Sequence, residues 1–173
     1  MKNTGSKTRL IVIQAMFAAM CTVATMLAIP SPFGYMNAGD VCVLLCAYVL
    51  GPIGAVSAGI GSALADLING YAVYVPATLI IKALMALCAF YLSKATEKVL
   101  PKPRALKYAV GSVCAELVMA FGYLFYEAVL LGYGAAALVS LPFNLLQGLF
   151  GCVGFGVLFF FFKKSKLSEK IGY

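Results

Sequence analysis

Residues 10–29 form an uninterrupted run of 20 uncharged residues, LIVIQAMFAAMCTVATMLAI. An α-helix rises about 1.5 Å per residue, so such a run can cross the roughly 30 Å hydrocarbon core of a bilayer. Hydrophobic residues make up 63% of the chain and charged residues 11%, which leaves a water-soluble domain too few polar groups to cover its surface. The sequence therefore predicts an integral membrane protein.

Lys2, Lys7 and Arg9 precede this first run, so a signal peptide cleaved after Ala28 is an alternative interpretation. The run is long for a signal peptide and further apolar runs follow it, which favours a first membrane span. No stretch of the 173 residues has the polar, low-complexity composition of a linker. We expect one domain covering residues 1–173.

The distribution of basic residues predicts how often the chain crosses the membrane. Twelve of the 13 lysines and arginines lie before residue 10, between Lys94 and Lys107, or after residue 162. The positive-inside rule places all three groups on the cytoplasmic side. Residues 39–69 must then cross twice, and the helix-breaking pair Gly51-Pro52 supplies the turn of a hairpin.

The predicted fold is an all-α bundle of six transmembrane helices with both the amino and the carboxyl terminus in the cytoplasm. The predicted helices cover residues 10–29, 39–51, 54–69, 76–93, 108–131 and 137–162. The external connections near 30–38, 70–75 and 132–136 contain no lysine or arginine, which supports this topology.

Polar side chains within these spans predict a pocket open to the outside. A charge near the centre of a bilayer costs about 3 kcal/mol on insertion scales, so such residues need a partner or a cavity. The helical rise places most of them roughly 5–10 Å below the external helix ends, and only Glu116 is clearly deeper. The candidate lining residues are Asn37, Asp40, Asp66, Tyr74, Lys82, Glu127, Asn144 and Gln147.

Each of these residues also has a purely structural interpretation. Asp66 and Lys82 could form a buried pair that fixes helix register, and Glu127 could lie at the membrane interface. Aromatic residues at the same level could be an interfacial belt or pocket walls. They are Phe33, Tyr35, Tyr71, Tyr74, Tyr123, Tyr126, Tyr133 and Phe143. The mixture suits a small, mostly uncharged heteroaromatic ligand.

The six cysteines lie in apolar stretches, and the chain contains no histidine. Free cysteines in such surroundings behave as small buried hydrophobic residues. Neither a zinc site nor a disulfide framework is indicated, and we expect no metal and no cofactor.

The stretch GDVCVLLCAYVLGPIGAVSAGIGSALADLINGYAVYVPATLIIKALMAL closely resembles the substrate-binding (S) components of energy-coupling factor (ECF) vitamin transporters. The resemblance implies six helices, a vitamin or precursor bound near the external face, and no enzymatic activity. It also implies partners: a transmembrane coupling subunit and two ATPases in a bacterial plasma membrane. The chain has no GxxxxGK[ST] phosphate loop, so energy must come from these partners.

Helix one carries an AxxxA pattern at Ala15 and Ala19, which in this family forms the docking surface for the coupling subunit. Small residues four apart let helices approach closely, although internal packing would produce the same spacing.

Within the family, the sequence is most similar to the group associated with hydroxymethylpyrimidine and pyridoxine. The similarity rests on Gly39-Asp40, on ADL at 65–67 and on PATLIIKAL at 76–84. Riboflavin or another vitamin stays open as the substrate. The alternatives outside the family are an autonomous secondary transporter or channel, a membrane enzyme and a scaffold.

Overall fold

The computed structural model describes residues 4–31, 34–102 and 104–164, so Phe33 and the basic residues Lys2, Lys166 and Lys170 lie outside it. The described chain is mostly helical. Its α-helices are α1 (Thr4–Met26), α2 (Gly39–Leu50), α3 (Gly54–Ile68), α4 (Val75–Val99), α5 (Arg104–Phe125) and α6 (Leu141–Lys164). Short 3-10 turns at Gly51–Ile53 and Gly134–Val139 and a π-helical turn at Tyr126–Leu130 connect or extend them.

Among the described residues, five helical segments are long and apolar enough to cross a membrane. They are Lys7–Met26, Gly39–Ile68, Val75–Val99, Ala105–Leu130 and Gly134–Phe161. The second segment contains both α2 and α3. Large apolar side chains on the outer faces of the bundle, such as Ile11, Val56 and Phe150, are exposed. Exposed apolar faces of this extent are typical of helices that contact lipid.

The chain reverses direction between α2 and α3, at the predicted Gly51-Pro52 break. Gly51 has φ +68°, a left-handed conformation that ends α2 and that glycine adopts without strain. A Cβ atom on Gly54 would lie 2.1 Å from the carbonyl oxygen of Cys46, so the start of α3 lies against the last turns of α2. In a continuous helix these two residues would be about 12 Å apart.

Contacts with α1 give the directions of α2 and α3. Cys46 Sγ of α2 lies 3.5 Å from Cys21 Sγ, and Gly39 at the start of α2 lies against Thr25, so α1 and α2 are antiparallel. Ser57 and Gly61 of α3 follow α1 in the same direction. Ser57 Oγ donates to the Gln14 carbonyl (3.0 Å), and the Gly61 carbonyl accepts from Thr22 Oγ1 (2.9 Å). α3 is therefore parallel to α1.

Helix α2 lies at the centre of the bundle, in contact with α1, α3, α4 and α6. Its residues 43–47 are almost completely buried. Small residues at the neighbouring helix contacts, including Ala58, Ala86 and Ala115, let the surrounding helices pack closely against it. The core is thus built from one central helix and small side chains around it.

The loop predicted at residues 30–38 instead contains a short antiparallel hairpin, which the sequence did not predict, in an otherwise helical chain. Strand β1 (Ala28–Ser31) pairs with β2 (Gly34–Asn37) in a register that places Ala28 opposite Asn37. The predicted first helix, 10–29, is therefore three residues too long at its end. Proline at position 30 cannot continue a helix, and the residues before it take up the strand. Helix α4 also continues past the predicted residue 93 to Val99.

Replacing Gly61 with alanine should destabilise the bundle. The added Cβ would lie 2.3 Å from the carbonyl oxygen of Ala18, so α1 and α3 would have to separate. Overpacking of this kind costs about 1–3 kcal/mol in the free energy of unfolding. Gly156→Ala is the matched control, because a Cβ there meets no atom within 4 Å. Thermal unfolding in detergent should show a lower midpoint for Gly61→Ala only, and equal midpoints would contradict the close contact.

Candidate functional site

A cavity lies at the end of the bundle formed by the carboxyl ends of α1, α3 and α5 and the amino ends of α4 and α6. It contains about 510 Å³ of space between atoms, part of which is open solvent. Its lining residues are Thr25, Tyr35, Asn37, Asp66, Tyr71, Tyr74, Thr78, Lys82, Tyr123, Glu127, Ser140, Asn144 and Gln147. The β-hairpin contributes Tyr35 and Asn37 to this wall.

The structure brings together the side chains that the sequence predicted as a set. The cavity is lined by Asn37, Asp66, Tyr74, Lys82, Glu127, Asn144 and Gln147. Asp40 does not line it, but lies directly beneath in contact with Lys82 and Gln147. Their role in ligand binding stays a prediction.

Asp40 and Lys82 form an ion pair whose side chains are each 1% exposed. Gln147 Nε2 donates to the second carboxylate oxygen of Asp40 (2.5 Å), and Gln147 Oε1 accepts from the backbone N–H of Asn37 (2.9 Å). The network thereby joins α2, α4, α6 and the hairpin beneath the cavity. Lys82 has Asp40 as its partner, so the structural alternative of an Asp66–Lys82 pair does not describe this site.

Two carboxyl groups form the acidic part of the cavity wall. Asp66 on α3 accepts a hydrogen bond from the Tyr35 hydroxyl of the hairpin. Glu127 accepts hydrogen bonds from the Tyr74 hydroxyl (3.3 Å) and from Ser140. Glu127 is 3% exposed, so its side chain lies inside the bundle and not on its outer surface.

The two tyrosine hydroxyls that bind these carboxyl groups remain protonated. Burial raises the pKa of Tyr35, and its hydrogen bond to Asp66 raises it further. Burial and the nearby negative charge of Glu127 raise the pKa of Tyr74 in the same way. Both side chains therefore act as neutral hydrogen-bond donors in the physiological pH range.

A π-helical turn aims Glu127 into the cavity. In this turn, Tyr126–Leu130, the backbone N–H of Leu131 donates to the Tyr126 carbonyl (2.9 Å), five residues back. Such turns insert an extra residue into a helix, rotate the following side chains, and occur often at functional sites. A straight continuation of α5 would present a different face at this position.

Aromatic rings form a continuous chain along the wall. The ring centroids of Tyr35 and Tyr71 lie 4.8 Å apart, those of Tyr71 and Tyr74 6.4 Å, and those of Tyr74 and Tyr123 6.4 Å. Separations of this size are typical of interacting aromatic side chains. Of the other aromatic residues predicted at this level, Tyr126, Tyr133 and Phe143 do not line the cavity.

Three short hydroxyl side chains complete the wall and were not predicted: Thr25, Thr78 and Ser140. Thr78 Oγ1 and the Tyr123 hydroxyl lie 2.8 Å apart in a hydrogen bond. Serine and threonine also occur in membrane helices for packing alone, so the sequence carries no signal that separates these three from the others.

Glu116 lies deeper than the cavity, as its sequence position predicted. It is 6% exposed, and neither of its carboxyl oxygens has a hydrogen-bond partner among the described residues. It packs beside Gly151 of α6, where an added Cβ would lie 2.4 Å from Oε1 of Glu116 and 3.0 Å from the Cβ of Asp40. Glu116 and Asp40 are therefore neighbours on either side of Gly151.

The AxxxA residues Ala15 and Ala19 are both exposed on the outer face of α1. Ala18 points the other way, and its carbonyl lies against Gly61 of α3. The two predicted docking residues are thus not used for packing inside the described bundle. The six cysteines are all free. The described residues contain no group of three or more His, Cys, Asp or Glu side chains that could hold a metal ion.

Comparison with known proteins places this architecture in a family. A family model described as ECF-type riboflavin transporter, S component, matches residues 5–164. A protein from Pyrococcus woesei, described as an uncharacterized protein in the gap 3′ region, is 35% identical over 147 residues, covering 83% of this chain and 94% of that protein. The solved S component of a bacterial ECF transporter has the same fold. It gives a TM-score of 0.66 at 21% identity and covers 96% of this chain and 99% of its own.

The fold and its apolar helical segments define a multi-pass membrane protein that is a transporter component and not an enzyme. The chain belongs to the family of ECF-type riboflavin transporter S components, the substrate-binding subunits of ECF transporters.

Removal of Asp40 should destabilise the protein more than removal of both members of its ion pair. Asp40→Ala removes the ion-pair partner of the buried Lys82 ammonium, and breaking such a pair costs about 3–5 kcal/mol. Adding Lys82→Met to Asp40→Ala removes the unpaired charge and should restore much of the lost stability. Thermal unfolding in detergent measures both effects. The control is Glu97→Gln, which removes a partly exposed carboxylate worth less than about 1 kcal/mol. Equal losses for single and double variants would contradict the dependence on charge pairing.

Proposed function

We propose that this chain captures a small water-soluble vitamin or vitamin precursor in the cavity and delivers it inward with an ATPase-driven coupling module. The observation that carries the proposal is the convergence of polar groups from five helices and the hairpin on one end of an otherwise apolar bundle. Isolated charges in lipid are costly, so a cluster with a hollow between its members is best explained by a ligand.

The proposal includes six membrane crossings, with the cavity facing outward and both termini in the cytoplasm. The reversal at Gly51 supports separate crossings by α2 and α3. Lys94, Lys98, Lys102 and Lys107 lie at the end of the bundle opposite the cavity, as the positive-inside rule requires for a cytoplasmic end.

For the substrate we propose a pyridoxine-like or hydroxymethylpyrimidine-like compound. Four tyrosine side chains along the wall can stack on a planar ring. Asn144, Gln147 and Asp66 supply acceptors and donors for its substituents. The matching family is named for riboflavin, which makes riboflavin the necessary competitor in any binding assay.

We propose that α1 docks on the coupling subunit through Ala15 and Ala19. Both residues are small and exposed on one face of the helix, one turn apart. Small residues at this spacing permit close approach of a partner helix within a membrane.

An autonomous secondary transporter or channel is the second candidate. Asp40, Lys82 and Glu116 form a buried row of ionisable groups directly beneath the cavity. Such rows in membrane proteins can relay protons or ions.

Isothermal titration calorimetry on the purified protein separates the two candidates. Binding of one vitamin at nanomolar to low micromolar Kd without ATP supports the S-component proposal. The panel should contain pyridoxine, hydroxymethylpyrimidine, thiamine and riboflavin. Proton or ion flux through the isolated protein in liposomes, without vitamin binding, would instead favour the transporter or channel.

Asp66→Ala should weaken vitamin binding by about 10- to 100-fold. Hydrogen bonds to charged groups contribute roughly 1.5–3 kcal/mol, and this variant removes a carboxyl group from the cavity wall. Calorimetry on the folded, monodisperse fraction gives the Kd. Glu97→Ala, at the opposite end of α4, is the matched control and should bind normally. Unchanged affinity in Asp66→Ala would place the ligand elsewhere.

Tryptophan at Ala15 or Ala19 should leave vitamin binding intact and reduce uptake at least about tenfold. The larger side chain keeps a partner helix at a distance but lies on the far side of α1 from the cavity. Uptake is measured in cells that carry the coupling module, and binding on the purified variants. Leu84→Trp on the exposed face of α4 is the control. Normal uptake by both alanine variants would exclude this face as the docking surface.

A further inference from the structure

Carboxyl groups are concentrated around the cavity although the whole chain has a net charge of +7. Of the six acidic residues in the chain, Asp66 and Glu127 line the cavity, and Asp40 and Glu116 lie beneath it. Lys82 is the basic residue among the lining side chains. Four carboxyl groups thus share one ammonium group, which makes this the most acidic part of a basic protein.

The one ammonium group is already neutralised. Lys82 pairs with Asp40, whose second oxygen is occupied by Gln147. Among the side chains that the structure describes, no lysine or arginine lies within 4.0 Å of the carboxyl oxygens of Asp66 or Glu127. Their hydrogen-bond donors are the neutral hydroxyls of Tyr35 and Thr78 for Asp66 and of Tyr74 and Ser140 for Glu127. Among the described side chains, the two acidic residues that line the cavity therefore have no ion-pair partner of their own.

Neutral hydroxyls do not fully compensate a buried carboxylate. The transfer of a charge from water to a protein interior is costly unless an opposite charge accompanies it. Asp66 is 5% exposed and Glu127 3%, so only a small part of either side chain contacts bulk water. A cation bound between them would supply the missing charge and strengthen both sites.

The aromatic rings beside these carboxyl groups favour the same kind of ligand. Tyr35, Tyr71, Tyr74 and Tyr123 all line the cavity. Aromatic faces attract cations through the ring quadrupole, and this attraction grows when the site excludes water. Lys82 already makes a cation–π contact of this kind, because its Nζ lies 5.6 Å from the ring centroid of Tyr123.

From this arrangement we infer that the ligand is a planar ring bearing a positive charge or a protonated amino group, held by Asp66 and Glu127 between the tyrosines. The inference rests on the proposed function and narrows its substrate class. It departs from the mostly uncharged ligand that the sequence suggested. The reason is that Lys82 is paired with Asp40 beneath the cavity and leaves the wall acidic.

A matched ligand pair on the unaltered protein tests this inference without depending on a variant that folds. Pyridoxamine and pyridoxine differ by an aminomethyl against a hydroxymethyl group on the same ring. 4-Amino-5-hydroxymethyl-2-methylpyrimidine is a further neutral ligand, because its amino group is conjugated with the ring and carries no positive charge near neutral pH. Calorimetry should show at least about tenfold tighter binding of pyridoxamine, whose aminomethyl group is protonated, than of pyridoxine.

Variants that remove one negative charge then show which residues recognise the positive charge of the ligand. Asp66→Asn and Glu127→Gln keep the size of each side chain and should each abolish the preference for pyridoxamine. The affinity for pyridoxine should change much less. Glu97→Gln removes a carboxylate at the opposite end of the bundle and should keep the preference.

The outcomes separate this inference from the proposed function. If the neutral ligands or riboflavin bind as tightly as pyridoxamine, the inference is wrong and the vitamin-binding function stands. If the preference survives in both Asp66→Asn and Glu127→Gln, the cation is not held by these residues and the inference is wrong. If no member of the panel binds, the proposed function fails and the inference fails with it.

Discussion

The ion pair between Asp40 and Lys82 is the constraint on which the polar end of this bundle depends. A lysine seven residues after the start of a membrane helix is tolerated only with a counter-charge, and α2 begins at the level that supplies one. Gln147 then adds α6 and the hairpin to the same network. Three helices and the hairpin are thus held in register beneath the cavity.

The same pair decides the electrostatic character of the cavity. Lys82 is paired with Asp40 beneath the cavity. The wall residues Asp66 and Glu127 therefore accept hydrogen bonds from hydroxyl groups only. The polar end of the bundle therefore has two parts. The Asp40–Lys82 pair beneath the cavity is neutral overall and stabilises the fold. The wall of the cavity is acidic and aromatic and is available to a ligand. The small residues around α2 make this arrangement compatible with close helix packing.

Much of this arrangement could be predicted from the sequence, because a membrane span must be apolar and must be long enough to cross the bilayer. Apolar runs and the Gly51-Pro52 break gave the helices to within a few residues at most ends, and helix depth alone grouped Asp66, Lys82, Glu127 and Asn144. The same reasoning missed the β-hairpin, since its backbone pairing has no periodic signal over four residues. It also missed Thr25, Thr78 and Ser140, whose hydroxyls are ordinary in membrane helices.

The sequence by itself determined that the chain is a membrane protein, where its helices lie and at which level its polar side chains fall. Hydrophobicity and helical rise act locally along the chain, so they can be counted from residue numbers. Only the tertiary structure decided that Lys82 takes Asp40 and not Asp66 as its partner, and that the π-helical turn directs Glu127 inward. Those choices depend on how helices rotate against one another, which is set by packing between residues distant in the chain.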